Sequence, residues 1–227
     1  ITMRFWSDEK RSGTIELLLT RSISDFKLVF AKFMAALVLV IFSLLPTLLY
    51  FLSVYLLGNP VGSIDTGATW GSFIGLFFLA AIYVSIGIFA SSLTDNQIVS
   101  FILAMALSFV FYMGLDFTAS ANVPYLLEGL LSWLSINNHY LSISRGVIDF
   151  RDLIYFTGMA FIFIWLTIGS VRKSKWSIKK FRRKTIIIFV LISAIFWASG
   201  NFLYRIDLTS DKRFSLSGVS VDVVRQF

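Results

Sequence analysis

Apolar residues in this chain run in long blocks, and the polar residues gather in short intervals between them. That pattern is neither the strict alternation of a half-buried strand nor the one-sided stripe of a soluble helix. A helix needs about 20 apolar residues to cross the hydrocarbon layer of a bilayer, and five blocks reach that scale. They run from about Leu28 to Leu57, Trp70 to Leu93, Ile98 to Phe117, Leu153 to Val171 and Thr185 to Tyr204. The expected architecture is an all-α polytopic membrane protein with five transmembrane helices, a short cytoplasmic helix before the first span and an external interfacial helix. Pro46 lies inside the first block. It lacks a backbone N–H, so one helical hydrogen bond is lost and a kink is expected there.

The interval 118–151 has a pattern of its own. Leu126, Leu127, Leu130, Leu131 and Leu134 recur at helical spacing, and Trp133 and Tyr140 are residue types that favour the membrane interface. This predicts a helix lying on or dipping into the outer leaflet, or an external helix packed on the spans. Within the spans, Gly71 with Gly75 and Ala81 with Ser85 form small-xxx-small pairs that let helices approach closely. Asp116, near an outer span end, is expected to be structural, and His139 to be an ordinary interfacial side chain.

Composition sharpens the class. The chain is 57% hydrophobic with 24 Phe, and only 15% of its residues are charged. A soluble domain carries about 25% charged residues, and no single soluble core absorbs so much apolar surface. The net charge of +7 raises the question of nucleic acid. The basic residues instead flank the apolar blocks, which argues against nucleic-acid binding. One cluster is Arg4, Lys10, Arg11, Arg21, Lys27 and Lys32; the other is RKSKWSIKKFRRK, 172–184, with eight basic residues in thirteen. No Lys or Arg lies between Lys32 and Arg145. Lys and Arg are retained on the cytoplasmic side, and four spans separate the clusters, so both can be cytoplasmic. Residues 58–65, 118–151 and the tail from Arg205 are then outside, and 92–97 inside.

The chain has no Cys, so a disulfide framework and thiolate metal sites are excluded. It has one His, no phosphate-binding G-x-x-x-x-G-K-[ST] loop and no G-x-S-x-G elbow. No metal site, catalytic residue or directly bound cofactor is expected. The segment SDEKRSGTIELLLTRSISDFKLVFAKF, before and into the first span, is the exception to this chemical silence. Ser12, Gly13 and Thr14 can cap a short helix, Glu16 falls in its first turn at the positive end of the helix dipole, and Leu17, Leu18 and Leu19 give it an apolar patch. Ser24 and Asp25 supply a second helix start. A capped helix with exposed Leu beside charges suits docking into a groove on another protein.

EKRSGTIELLLTRSIS, residues 9–24, resembles the E-K-x-x-G-T-x-E-L-L-L-T-x-P-I-S segment of ABC-2 type permeases. There it couples the permease to its ATPase. The resemblance implies that Glu9, Gly13, Thr14, Glu16, Leu17 and Leu18 are ATPase-coupling residues. Ser22 stands where that family usually has Pro. YLLGNPVGSIDTG, IGLFFLAAIYVSIGIFASSLTDNQIVSF and SRGVIDFRDLIYF are similar to the permease subunit of the gliding-motility ABC transporter of Bacteroidetes. Residues 184–217, ending in RIDLTSDKRFSLS, resemble the start of that system's second membrane subunit.

By that resemblance residues 1–27 form a cytoplasmic coupling segment, 28–171 a four-span ABC-2 type domain, 172–184 a basic linker, 185–204 a fifth span and 205–227 the start of an extracytoplasmic domain. Two further spans are expected before residue 1 and the external domain after Phe227. Two permease copies in the bacterial inner membrane would form a pathway with a cytoplasmic ABC ATPase, which binds the ATP and Mg. The second membrane subunit is expected to be fused to the chain, and membrane lipid surrounds the spans. An alternative is a non-transporting anchor or energised scaffold for the motility apparatus.

Overall fold

Helix α3, Asp25–Leu44, opens on Ser24, whose hydroxyl accepts from the Lys27 N–H at 3.4 Å. The computed structural model describes residues 2–20, 23–119, 124–171, 178–199 and 205–215. Two short helices precede α3: α1, Ser7–Arg11, and α2, Thr14–Thr20. At Pro46 the helical hydrogen bonding is interrupted: Leu44 ends α3 and α4 is Thr47–Leu57, but Leu45 and Pro46 keep helical backbone angles, so α3 and α4 run on as one span. Thr47 Oγ1 donates to the Leu44 carbonyl at 2.6 Å, satisfying a group freed by the break.

The second span is α5, Thr66–Leu93, and the fourth is α10, Phe150–Val171; both begin a few residues before the apolar blocks suggest. Helix α5 starts early because Asp65 caps it, accepting from the Ala68 N–H at 3.0 Å. The third span is composite: α6, Gln97–Phe109, a π-helical turn at Val110–Gly114, and α7, Leu115–Ala119. Asn96 caps α6 by accepting from the N–H groups of Ile98 and Val99. Among the described residues, four helices are long and apolar enough to cross a membrane: Asp25–Leu57, Thr66–Leu93, Gln97–Thr118 and Phe150–Val171. The expected fifth span lies within α11, Ile178–Ser199, as far as Ser199; residues 200–204 fall outside the described residues. Helix α11 takes in Lys179 to Lys184, so the second half of the expected basic linker is helical, while 172–177 are outside the described residues.

Helices α5 and α10 are the core of the bundle, half of each span's central window being buried (50% and 56%). In the Gln97–Thr118 span only 6% of the corresponding window is buried: Leu107, Phe111 and Tyr112 pack partly on the bundle, while Ile98, Phe101, Ile102, Met105, Phe109 and Met113 are exposed, a face left for lipid or another chain. Hydrophobic burial does not drive helices together in lipid, and close packing does that work. Gly71 shows how: a Cβ there would sit 2.5 Å from the Gly146 Cα, and one at Gly75 would meet Ile143. Ala81 and Ser85 are likewise buried along α5. Trp6, Val29, Phe33, Ile88, Ile164 and Ile168 belong to one packed cluster, and Ile82, Ile86, Ile136, Ile143, Tyr155 and Phe156 to a second.

Among its described residues the interval 118–151 holds two helices where one is expected: α8, Tyr125–Leu134, and α9, Ile136–Ser144. Ile136 and Ile143 are fully buried and α9 packs on α5, which favours packing on the spans for this part of the interval. Asp116 is structural, accepting at 3.1 Å from the side-chain amides of Asn137 and Asn138. A strand expected by no periodicity comes next in the chain: β1, Val147–Asp149, pairs antiparallel with β2, Arg205–Asp207, with Ile148 opposite Ile206. Leu208 N–H then donates to the Gly146 carbonyl at 3.0 Å, and Ser210 donates from N and Oγ to Asp65 Oδ1. Asp65, residues 146–149 and the start of the tail at 205–210 thus meet at one end of the bundle. Residues 216–227 of the expected external domain lie outside the described residues.

Carboxylates hold this end together. Burial pushes the Asp149 carboxyl up, but hydrogen bonds from Arg151 and the charges of Arg151 and Arg205 more than reverse that, leaving its pKa below the usual value. The Ala68 N–H and then Ser210 hold Asp65 low, and the Thr209 hydroxyl does the same for Asp207.

Candidate coupling interface

The N-terminal segment is wedged against the opposite end of the bundle. Trp6 is fully buried, and the N–H groups of Trp6 and Ser7 donate to Ser91 Oγ at 2.9 and 3.1 Å. Ser91 Oγ in turn donates to the Met3 carbonyl at 3.0 Å. Gln97 donates to Asp8, and Lys10 donates to the Ser92 carbonyl. That carbonyl also accepts from Ser170 Oγ at 2.9 Å, so α1, α5 and α10 meet on one atom. These contacts also seat α1 against the α5–α6 turn. A cleft of about 450 Å³ lined by Arg11, Asp95, Asn96, Gln97 and Ile98 opens beside it.

Lys32 ties α3 into the same cluster. Its ammonium lies 2.6 Å from Glu9 Oε2 and 3.9 Å from the centre of the Trp6 ring, and it donates to the Phe5 carbonyl. A charge taken into an apolar helix needs such partners. The geometry therefore divides the residues that sequence groups as coupling residues. Glu9 faces the bundle and braces α1 to α3.

Gly13 sets the direction in which α2 leaves α1. Its φ of +73° is left-handed, a conformation that strains any side-chain-bearing residue. Gly13 N–H bonds the Lys10 carbonyl at 3.2 Å and Ser12 N–H the Asp8 carbonyl at 2.9 Å, so these two residues close α1. Gly13 also stands immediately before α2, which begins at Thr14, and its carbonyl accepts from the Glu16 N–H at 3.4 Å, so of the three expected caps Gly13 holds the starting position while Ser12 belongs to the end of α1. Helix α2 is anchored by Ile15, which packs on the buried cluster around Trp6. Thr14 and Glu16 are exposed, Leu17 is 68% exposed and Leu18 is half-buried. Of the sequence-derived set, Gly13, Thr14, Glu16 and Leu17 therefore form one outward surface, with Leu18 at its edge. Ser22 lies outside the described residues.

Sequence reasoning missed Trp6, Ile15, Lys32, Ser91 and Ser92. Lys32 carried a usable signal, since a Lys five residues inside an apolar block requires an acidic or aromatic partner. Among the described residues, no three His, Cys, Asp or Glu side chains converge as a metal site would. The arrangement is mechanical: a braced helix carries an exposed one across a fixed elbow.

The family model of the ABC-2 family transporter protein matches residues 1–171, from the wedged segment to the last residue of α10. The chain belongs to the ABC-2 transporter family. No curated protein and no solved structure matches it. As an ABC-2 member it is a multi-pass integral membrane protein and the transmembrane permease component of an ABC transporter. Such components are not themselves ATPases, and membership implies a cytoplasmic ABC ATPase partner. The match covers the four-span bundle and the candidate ABC-2 coupling surface, and excludes α11 and the clasped tail.

Proposed function

We propose that this permease belongs to an ATP-driven exporter of the gliding-motility type in the bacterial inner membrane. Two copies form the pathway, and a cytoplasmic ATPase pair presses on residues 9–20 as it closes on ATP. The exposed face of α2, Glu16 with Leu17, carries this reading because it projects from a helix pair braced to α3, α5, α6 and α10. Work passes through such a contact only if the ATP-closed and open ATPase states bind it with different free energies. Residues 185–204 cross as a fifth span, and 205–227 begin the fused second subunit.

Glu16→Lys is expected to leave membrane insertion normal while abolishing permease-stimulated ATP hydrolysis and weakening ATPase co-purification by tenfold or more, about 1.4 kcal/mol or above. Unchanged co-purification together with unchanged stimulation removes α2 as the docking surface.

The clasp between β1 and β2 favours a second reading, an energised scaffold that moves the external domain and carries nothing. Reconstituted vesicles separate the two readings. ATP-dependent flux supports the exporter; ATP-dependent distance changes in the tail without flux support the scaffold.

A further inference from the structure

The end of α10 that carries the clasp holds two adjoining cavities of opposite character. One, about 480 Å³, is polar and lined among others by Trp133, Asn138, His139, Arg151, Asp152 and Arg205. The other, also about 480 Å³, is an apolar groove between α10 and α11. They share the first turn of α10: Arg151 and Asp152 line the polar cavity, and Phe150, Leu153 and Ile154 line the groove.

In the polar cavity the acids are behind and the cations in front. Asp149 and Asp152 are 5% and 7% exposed, whereas the side chains of Arg151 and Arg205 are 42% and 51% exposed. Asp149 is shared, taking Arg151 Nη2 at 3.0 Å and Arg205 Nη2 at 3.7 Å on one oxygen. Asp152 accepts from Ser142 and meets His139 Nδ1 at 2.7 Å, while His139 Nε2 faces the Trp133 carbonyl at 3.0 Å. Both ring nitrogens are engaged, one by the Asp152 carboxylate and the other by a backbone carbonyl. His139 is thus a cross-brace stacked on Tyr155, which corrects the expectation of an ordinary interfacial side chain. The charged groups most exposed to the cavity are the two guanidiniums; Arg151 donates from Nε and Nη2 to Asp149, so its Nη1 and the N–H groups of Arg205 are the donors placed to meet phosphate oxygens.

Along the groove, Phe150, Leu153, Ile154, Thr157, Gly158 and Phe161 recur on one face of α10, opposite Ile192 and Ile195. From Phe150 to Phe161 that face extends about 17 Å, close to the ~15 Å depth of one leaflet. A pocket that exposes guanidiniums and buries its carboxylates, at the mouth of a leaflet-deep apolar groove, is complementary to an anionic amphiphile. We propose that this end of α10 binds an anionic phospholipid, with its phosphate on Arg151 and Arg205 and an acyl chain in the α10–α11 groove.

The test uses the full chain, purified in detergent and incubated with vesicles holding equal phosphatidylglycerol and phosphatidylcholine; native mass spectrometry counts retained lipid. The wild type retains phosphatidylglycerol in preference. Arg151→Gln with Arg205→Gln lowers that preference about tenfold, the scale of a lost charge-assisted contact. Gly158→Phe, which fills the groove and leaves the guanidiniums intact, lowers retention of both lipids. A double-Gln protein with an unchanged melting temperature and undiminished preference overturns the proposal. So does inorganic phosphate that raises the melting temperature as much as phosphatidylglycerol does while Gly158→Phe changes nothing, since the site then takes a soluble anion.

Discussion

Lys32 is the residue on which the inner end turns. Its ammonium is held by Glu9 and the Trp6 ring, so removing one partner strands the other in an apolar setting. Breaking a fully buried pair costs about 3–5 kcal/mol, and at 17% and 25% side-chain exposure this pair should lose less, roughly 1–3 kcal/mol. Lys32→Met and Glu9→Gln are each expected to destabilise the detergent-solubilised protein by that amount. The double variant should fall short of their sum, as a double-mutant cycle on melting temperature checks. Additive losses would show that the two residues act separately. The outward residues of this region were legible: a polar stretch turning suddenly apolar marks Glu16 and Leu17 as boundary positions. The inward partnership of Glu9 was not, because it depends on Gly13 reversing the chain, and spacing alone cannot report where a reversed segment lands.

Elements divide in the same way. Run length located the four spans because lipid demands a helix of fixed length, and Pro46 announced its own break. The π-helical turn at Val110–Gly114 and the clasp left no local trace. Strands of three residues carry no usable period, and β1 finds β2 only because α10 and α11 return the chain to the same end. The clasp nevertheless has a chemical signature. Asp149, Asp65 and Asp207 all have folded pKa values below normal, so their stabilisation is present above the unfolded value of about 3.9 and is lost as pH falls through the folded values. Backbone N–H groups of 147–149 and 205–208 are expected to be protected from hydrogen exchange at pH 7 and to lose protection below about pH 4. Protection unchanged at pH 3, after correction for intrinsic rates, would mean the carboxylates do not hold it.

At the scale of the molecule, the two ends of the bundle collect different segments. Residues 2–11, the α5–α6 turn and Ser170 share one end; Asp65, 143–149 and 205–210 share the other. The expected cytoplasmic placement of the basic clusters predicts an external clasp. The absence of Cys makes this direct to check, and the burial pattern picks the positions: Ser92 and Ser135 are fully buried, whereas Ser63, Asp95 and Ser210 are exposed. In intact cells, Ser63→Cys and Ser210→Cys should react with an impermeant maleimide and Asp95→Cys should not; labelling at 95 with protection at 210 inverts the topology. The Ser92 carbonyl, gripped by Lys10 from α1 and by Ser170 from α10, then acquires a mechanical meaning. It is a fulcrum. Helix α10, 22 residues and so about 33 Å long, is a lever pinned beside it, its far end tied through the Asp149 clasp and Ser210 to the Asp65 cap of α5. A tilt of roughly 5° at the pinned end sweeps the far end by about 3 Å, the length of one hydrogen bond.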